Sequence, residues 1–343
     1  MTEEALVQPT KGMGADANTY AKLRLNLNES PFPPLPSVVR EIAQELDGLN
    51  RYPPFHPRMA QDCLAEWLHL DASNVITGSG SVGVALQVLE TIRPSRVVYC
   101  SPTFEGYPIL ADMVAAEKYP VPLDSVGMQD LNALADCAGL KDTVVVICNP
   151  HNPTGTFLPP SEILSFLEHL PECVSVLIDE AYIEFSDKAL RCDVNDLLSR
   201  HERVVVLRTF SKAYGLAGMR IGYGIANPSF GDRIQARALP FGFSMIAQTA
   251  MKASISNEAE LEARIENLRA ERQALQKDLR KLGRRVLESQ TNFLWLPWSD
   301  GGADWVEPLE SHGVLAKVYP DQGVRLSIGS KLENNIVRLT GEN

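Results

Sequence analysis

The sequence predicts an α/β fold in which helices cover both faces of a mostly parallel sheet. Short β-branched, apolar runs recur along the first two thirds of the chain, and helical patterns such as Val82–Arg93 and Pro160–Leu170 separate them. Strands that are buried on both faces form continuous apolar runs of this kind, and their alternation with helices is typical of an α/β sandwich. The predicted strands are Asn74–Thr77, Arg96–Cys100, Thr143–Cys148, Ser175–Ile178 and Arg203–Leu207.

A change of composition near residue 240 predicts a second domain. Charged residues at helical neighbour spacing predict a long helix from about Asn257 to Leu282. Predicted strands follow it at Asn292–Leu296, Val314–Val318 and Val324–Ile328. We therefore expect an N-terminal arm and connector over residues 1–35, a large domain over 36–240, and a smaller α+β domain over 241–343 that packs with the N-terminal segment.

The N-terminal region is rich in residues that oppose regular structure. Residues 1 to about 25 are expected to be weakly ordered, and Pro31–Pro36 is expected to be extended because proline blocks helix formation. Ser37 is expected to cap a helix over Val38–Leu46.

Composition excludes several classes of partner. Of 343 residues, 45% are hydrophobic, which is enough for a large core, and the net charge of −11 repels nucleic acid and anionic lipid. The N-terminus lacks a signal-peptide pattern, and no stretch approaches the about 20 apolar residues of a membrane span. Six cysteines without a CxxC pair indicate a reducing cytoplasm. We expect a small-molecule partner, with no nucleic acid, no membrane and no metal site.

A lysine in a loop of small and hydroxyl residues is the first candidate for chemistry. Lys212 follows the predicted strand Arg203–Leu207, and Arg220 comes eight positions later among glycines. A lysine that attacks a carbonyl group has to be partly desolvated, which lowers its pKa. The nearby hydroxyls and the arginine suit a phosphate. Lys212 alone is compatible with an ordinary surface loop, but the whole segment favours a site.

Two further motifs directly follow predicted strands, at the sheet edge where α/β folds bind ligands. The loop Asn149–Gly155 contains two X-Pro bonds, which stiffen it and permit a cis peptide, so Asn152 offers a fixed amide. Asp179 ends an apolar strand, where a buried acid requires a cation, and Tyr182 lies three residues later. Taken singly, the alternatives are a simple turn for the first motif and a helix cap for Asp179.

A strand, a glycine turn and a helix at Val75–Gly83 supply a candidate phosphate site, because N–H groups at a helix start bind phosphate. An ordinary strand–helix turn is the commoner origin of such a pattern. Phe104 follows the next strand, either as a core residue or as a platform for an aromatic ring. The motifs together require a ligand with a phosphate, a basic ring nitrogen, a ring hydroxyl and an aldehyde, which describes pyridoxal phosphate.

With these motifs the chain resembles the fold-type I aminotransferases, and among them the histidinol-phosphate aminotransferase group. The resemblance runs from about Leu25 to Ile328. It implies a mostly parallel sheet in a large α/β/α domain, a smaller α+β domain, and transfer of an amino group between an amino acid and a 2-oxo acid such as 2-oxoglutarate. The matching segments are Asn28-Glu29, Arg51–Pro53, Asn149–Gly155, Asp179–Tyr182 and Ser211–Tyr223.

The resemblance also implies a role for each matching residue. In the catalytic set, Lys212 holds the cofactor as a Schiff base and moves the substrate proton, Asp179 pairs with the pyridinium nitrogen, and Tyr182 binds the ring hydroxyl with Asn152. Substrate binding falls to Arg325, which grips the carboxylate, and to Asn28 and Lys317. The remaining cofactor contacts are Phe104 on the ring, Ser79, Gly80, Thr209, Ser211 and Arg220 on the phosphate, and Tyr52 from the partner subunit of a homodimer with shared active sites.

Three features differ from the histidinol-phosphate group. The turn Gly78–Val82, with Thr103–Pro108 and Leu207–Tyr214, is closer to the aromatic (phenylalanine) aminotransferases of actinobacterial type. Lys317 stands where arginine is usual, and it lacks the planar fork for a second anion. The chain ends soon after Arg325, so the last helix is expected to be short or missing.

These differences favour an aromatic amino acid as donor. The alternatives are a histidinol-phosphate:2-oxoglutarate aminotransferase, a related phospho-amino-acid decarboxylase, and a non-catalytic regulator that binds the cofactor.

Overall fold

The computed structural model describes residues 22–139 and 142–340, so most of the predicted arm over 1–35, including residues 1–21, lies outside the described residues. The strands in the described part are β1 (Leu23–Arg24), β2 (Val75–Ser79), β3 (Arg96–Ser101), β4 (Glu117–Pro122), β5 (Thr143–Cys148), β6 (Ser175–Asp179), β7 (Val204–Thr209), β8 (Ile221–Ala226), β9 (Phe293–Pro297), β10 (Val314–Leu315), β11 (Lys317–Tyr319) and β12 (Gly323–Ser327). The α-helices are α1 (Pro36–Glu45), α2 (Arg58–Leu68), α3 (Gly80–Ile92), α4 (Gly106–Met113), α5 (Leu131–Cys137), α6 (Pro160–His169), α7 (Val194–Arg200), α8 (Pro228–Gln235), α9 (Met245–Ser256), α10 (Glu258–Lys281), α11 (Val306–Ser311) and α12 (Lys331–Thr340).

A seven-stranded sheet forms the centre of the fold, in the order β2-β8-β7-β6-β5-β3-β4. Strand β8 runs antiparallel to both of its neighbours, whereas β3 to β7 are mutually parallel. Helices α3, α4 and α8 pack on one face of this sheet, and α5, α6 and α7 contribute to a separate apolar cluster on the other face. The predicted α/β fold with a mostly parallel, two-sided sheet is therefore confirmed.

Two smaller sheets lie outside this centre. Strands β11, β12 and β9 form an antiparallel sheet, and β1 pairs in parallel with β10. The β1–β10 pairing ties the segment after residue 22 to the C-terminal part of the chain, and the Ser327 N–H donates to the Leu25 carbonyl. The domain boundary near residue 240 stays a prediction. Within the described ranges, no helix is both long and apolar enough to span a membrane.

Two predictions about local structure are wrong. Ser37 does not cap a helix: α1 begins at Pro36, whose missing N–H is not needed in a first turn, and the Ser37 hydroxyl donates to Glu260 at 3.0 Å. Val314–Val318 is not one strand, because β10 pairs with β1 while β11 pairs with β12. The last helix, which was expected to be short or missing, is present as the ten-residue α12, and Arg338 on it reaches Asp278 of α10 at 2.9 Å.

Two strands of the seven-stranded sheet were not predicted from the sequence, and each has a physical reason. Strand β4 is an edge strand with two prolines and charged residues, a composition that protects edges and obscures the strand pattern. Strand β8 contains Gly222 and Gly224, which weaken any strand signal. Gly222 is required by space: a Cβ there would lie 2.1 Å from the Gly80 carbonyl carbon and the Ser81 nitrogen.

This close approach of backbones predicts that Gly222→Ala destabilises the protein. The clash is with main-chain atoms that cannot rotate away, so we expect the free energy of unfolding to fall by about 2 kcal/mol or more. Urea unfolding followed by circular dichroism measures this change. Gly218→Ala is the matched control, because Gly218 lies four residues before Gly222, in the β7–β8 connection, and a Cβ added there would have no neighbour within 4 Å. Equal midpoints for the two variants would contradict the prediction.

Candidate active site

The predicted site residues meet at the carboxyl ends of β5, β6 and β7. Asp179 is the last residue of β6 and lies beside Cys148 of β5 and Leu207 of β7 in the sheet register. The loops that follow these strands carry Asn152, Tyr182 and Lys212, so parallel pairing brings residues together that are far apart in sequence. Both X-Pro bonds of the Asn149–Gly155 loop are cis, as the sequence allowed.

Asp179 is a buried carboxylate held by two hydrogen-bond donors. Its Oδ1 accepts from the Ala181 N–H at 3.0 Å, and its Oδ2 accepts from the Tyr107 hydroxyl at 2.5 Å. Burial raises the pKa of Asp179 above its ordinary value, while the two hydrogen bonds act in the opposite direction. A neighbouring cation would hold this carboxylate in its charged form.

Tyr107 is a contact that the sequence analysis did not single out. Tyr107 lies in the first turn of α4 and is 2% exposed, and burial raises its pKa well above the ordinary value. The signal that could have identified it is its position three residues after Phe104, just beyond a parallel strand. Tyr107 orients Asp179 from the side of α4.

Asn152, Tyr182 and Asn28 form a connected polar cluster. The Asn152 side chain donates to the Tyr182 hydroxyl at 3.4 Å, and Asn28 donates to the same hydroxyl at 3.0 Å. Asn28 is 1% exposed and also accepts from Ser327 at 3.0 Å. Burial raises the pKa of Tyr182 to about 12, so this hydroxyl keeps its proton at neutral pH. The Tyr182 hydroxyl thus connects Asn28 with Asn152.

Lys212 lies between this cluster and the N-terminal segment. Its Nζ donates to the Leu27 carbonyl at 3.0 Å and lies 5.8 Å from the centre of the Tyr182 ring. Burial, followed by the positive charge of Arg325, lowers the pKa of Lys212 from 10.5 to about 8. The amine is therefore poised to lose its proton close to neutral pH, as a nucleophile or a base requires.

A cradle for an anion forms where the start of α3 meets the loop after β7. Gly80 has a φ of +72°, and a Cβ there would lie 2.4 Å from the Arg220 guanidinium. The Arg220 guanidinium reaches the Ser211 hydroxyl and the Ser79 carbonyl at 3.5 Å each. Ser79 precedes α3 without capping it, and Thr209 donates to Ser211 at 2.9 Å. These five residues combine a helix start, hydroxyls and a cation.

Phe104 lies beside Tyr107, which donates to the buried acid. Its ring meets Tyr107 edge-on at 5.7 Å, and a Cβ at Gly106 would lie 2.3 Å from the Phe104 ring. Gly106 is therefore needed for this ring position. The arrangement places an aromatic ring next to the Tyr107–Asp179 pair, as a stacking platform requires.

Two of the predicted substrate-binding residues, Arg325 and Lys317, differ in their burial. Arg325 is 6% exposed and donates to Asn152 Oδ1 at 2.6 Å and to the Asn26 carbonyl at 2.7 Å. Lys317 forms an ion pair with Glu105 at 2.7 Å, a partner that the sequence analysis missed.

Tyr52 is the predicted residue that lies apart from this cluster. It is 83% exposed, and its ring contacts Phe241 at 5.0 Å. Tyr52 is therefore accessible from outside this chain and lies away from the cluster of predicted site residues.

These residues fit pyridoxal phosphate. The buried Asp179 carboxylate has two neutral hydrogen-bond donors, and burial outweighs these donors and the charge of Lys212 in setting its pKa, so a protonated ring nitrogen would be a suitable partner. The Gly80–Arg220 cradle suits the phosphate, and Lys212 supplies an amine of lowered pKa for the aldehyde.

Comparison with known proteins agrees with this geometry. An aromatic amino acid aminotransferase of Cutibacterium acnes is 40% identical over 315 residues, which is 91% of this chain and 90% of that protein. One of Streptomyces avermitilis is 39% identical over 95% of this chain and 91% of that protein. The crystal structure of histidinol-phosphate aminotransferase from Sinorhizobium meliloti in complex with pyridoxal-5'-phosphate has a TM-score of 0.83 at 26% identity, covering 92% of this chain and 89% of that chain.

Structures of lower identity show the same fold. A putative histidinol-phosphate aminotransferase from Erwinia carotovora has a TM-score of 0.87 at 24% identity, with 94% of this chain and 96% of that chain covered. The family model described as "Aminotransferase class I and II" matches residues 20–329. This chain therefore belongs to the class I and II aminotransferases, a family that depends on pyridoxal phosphate.

Proposed function

We propose that this enzyme transfers the amino group of an aromatic amino acid to a 2-oxo acid such as 2-oxoglutarate. The observation that carries the proposal is the meeting of Lys212, Asp179 and the Gly80–Arg220 cradle at one sheet edge, in a member of an aminotransferase family. The aromatic donor is supported by the relatives, since two aromatic amino acid aminotransferases are 40% and 39% identical over nearly the whole chain.

The chain's own residues divide the work of the reaction. When bound, pyridoxal phosphate supplies an electron sink that makes the proton at the substrate Cα acidic. The neutral amine of Lys212 removes and returns that proton, and its lowered pKa suits both directions. Asp179 would pair with the protonated ring nitrogen of the cofactor, and Tyr107 holds the carboxylate in place.

Other residues would bind and orient the cofactor and the substrate. Asn152 and Tyr182 would bind the ring hydroxyl, and the cradle of Ser79, Gly80, Thr209, Ser211 and Arg220 would hold the phosphate. Phe104 would stack on the ring. Arg325, which Asn152 and the Asn26 carbonyl already orient, binds the substrate carboxylate with little loss of side-chain freedom.

A homodimer with shared active sites is part of the proposal. An exposed aromatic patch, defined by Tyr52, Phe55 and Phe241, supports it, because Tyr52 and Phe55 each contact the Phe241 ring at 5.0 Å. Their exposures of 83%, 51% and 42% are unusual for clustered aromatic residues and are typical of an interface. Across this interface, the Tyr52 hydroxyl would reach the cofactor phosphate of the partner subunit.

The six free cysteines support a reducing, cytoplasmic setting.

Histidinol phosphate is the second candidate donor, since the Sinorhizobium meliloti histidinol-phosphate aminotransferase has a TM-score of 0.83 with this chain. Lys317 disfavours it, because a lysine lacks the planar fork of the usual arginine and a second anion first has to displace its partner Glu105. Rates measured with histidinol phosphate and with phenylalanine separate the two donors. A higher kcat/KM for histidinol phosphate would overturn the aromatic assignment.

We expect Asp179→Ala to nearly abolish turnover. Without the carboxylate, a buried ring cation has no partner, which costs about 3 kcal/mol or more and corresponds to at least about a hundredfold loss of rate. Aminotransfer from phenylalanine to 2-oxoglutarate measures the effect, with circular dichroism as the check on folding. Tyr107→Phe, which removes only the supporting hydrogen bond, should cost far less. A rate for Asp179→Ala within tenfold of wild type would refute the role of this carboxylate.

Lys212 should give the cofactor-free enzyme a pH-dependent capture of pyridoxal phosphate. Its pKa is lowered to about 8, so the amine is protonated and unreactive below that pH and neutral above it. The rate of covalent capture, followed by absorbance, should therefore rise with pH with a midpoint near 8. Because the Arg325 charge contributes to the lowering, Arg325→Met should move the midpoint upwards. A midpoint near 10 in the wild type would contradict the assignment.

The homodimer predicts that Phe241→Asp shifts the protein towards a monomer. The dimer would bury the exposed aromatic patch, and a charge at the centre of a buried apolar patch is strongly unfavourable. Analytical ultracentrifugation at micromolar concentration detects the shift from dimer to monomer. Leu332→Asp is the matched control, because Leu332 is 64% exposed on α12 outside the patch. Tyr52→Phe should keep the dimer but weaken cofactor retention about tenfold, the value of a hydrogen bond to a charged group. A wild-type monomer would exclude the shared site.

A further inference from the structure

We propose that Glu105 is a specificity-determining residue, which competes with anionic substrates for Lys317 and so sets the balance between aromatic and dicarboxylic substrates. This inference rests on the proposed function, in which one site has to accept an uncharged aromatic side chain and the second carboxylate of 2-oxoglutarate in turn. A permanent free cation would favour the dicarboxylic partner, and a site without a cation would favour the aromatic one.

The sheet register places Lys317 at the substrate end of the site. Lys317 of β11 lies directly opposite Arg325 of β12, and directly opposite residues of an antiparallel pair project to the same face. Tyr319 links them, since the Arg325 guanidinium donates to its hydroxyl at 3.4 Å and the Lys317 Nζ lies 5.8 Å from its ring centre. Lys317 is therefore the next cation beyond the proposed carboxylate ligand.

Glu105 approaches Lys317 from the opposite wall. It follows Phe104, the proposed platform for the cofactor ring, and immediately precedes α4. The Lys317–Glu105 ion pair, 2.7 Å between Nζ and Oε1, thus joins the three-stranded sheet to the loop after β3. The pair spans from the Arg325 wall to the ring platform, where a substrate side chain has to pass or rest.

The solvent exposure of the Lys317–Glu105 pair allows a substrate carboxylate to replace Glu105. The side chains of Lys317 and Glu105 are 31% and 61% exposed, so water screens their attraction. Ion pairs of this kind shift an equilibrium by less than about tenfold. A substrate carboxylate at the same position can therefore displace Glu105, whereas an aromatic side chain leaves the pair closed and meets no unpaired charge.

The test compares the two half-reactions of the complete enzyme. Conversion of the bound cofactor is followed by absorbance with phenylalanine and with glutamate, and the quantity measured is the ratio of kcat/KM for glutamate to that for phenylalanine. Glu105→Gln leaves Lys317 without its competitor, so we expect this ratio to rise about fivefold, the exchange strength of an exposed pair. Lys317→Met should lower the ratio, and Glu105→Gln should have no further effect in that background.

Asp112→Asn is the matched control. Asp112 lies on α4 and forms an ion pair of similar length with Lys118, at 2.8 Å, so the variant makes the same charge change close by in the fold. We expect it to leave the ratio at its wild-type value. Raising the salt concentration should shrink the Glu105→Gln effect, because screening weakens the attraction of Lys317 for both carboxylates.

Several outcomes would overturn the inference. If Glu105→Gln lowers both half-reactions equally, the pair only ties two walls together. If Asp112→Asn changes the ratio as much, the effect is one of overall charge. A wild-type enzyme that converts its cofactor with neither amino acid would remove the proposed function and this inference with it, whereas activity with an unchanged ratio in Glu105→Gln removes the inference alone.

Discussion

The burial of one carboxylate, Asp179, is the constraint on which the rest of the site depends. A charge at the end of a strand inside an apolar sheet is costly unless neighbours compensate for it. Tyr107 and the Ala181 N–H supply two hydrogen bonds but no charge, and burial still raises the pKa of the acid. A cation beside Asp179 would stabilise its charged form, and in the proposed function the protonated ring nitrogen of the cofactor is that cation.

Positively charged side chains lie at the same sheet edge as Asp179. Lys212 and Arg325 approach each other closely enough that their charges interact, and this repulsion adds to burial in lowering the lysine pKa. Arg220 lies further along, against a glycine that has no room for a Cβ. The positive charges of Lys212, Arg325 and Arg220 suit the anionic cofactor and substrate of the proposed reaction.

Several features of the site depend on backbones that approach closely. Gly80 and Gly222 bring the start of α3 against β8, and Gly106 makes space for the Phe104 ring. Each glycine is needed because a Cβ would overlap a specific neighbour. The Lys317–Glu105 pair has a different character, since it is partly exposed, weak and exchangeable, and it lies where substrates have to differ from one another.

The fold class was predictable from the sequence alone, because buried parallel strands are apolar along their whole length, and the motifs around Asp179 and Lys212 predicted pyridoxal phosphate as the cofactor. The sequence did not reveal β8, whose glycines weaken the strand pattern, nor the start of α1, where Pro36 rather than a Ser37 cap decided the first turn. Only the tertiary structure brought Tyr107 to the buried acid and Glu105 to Lys317. Those contacts join elements far apart in the chain, and local sequence patterns carry no information on such distances.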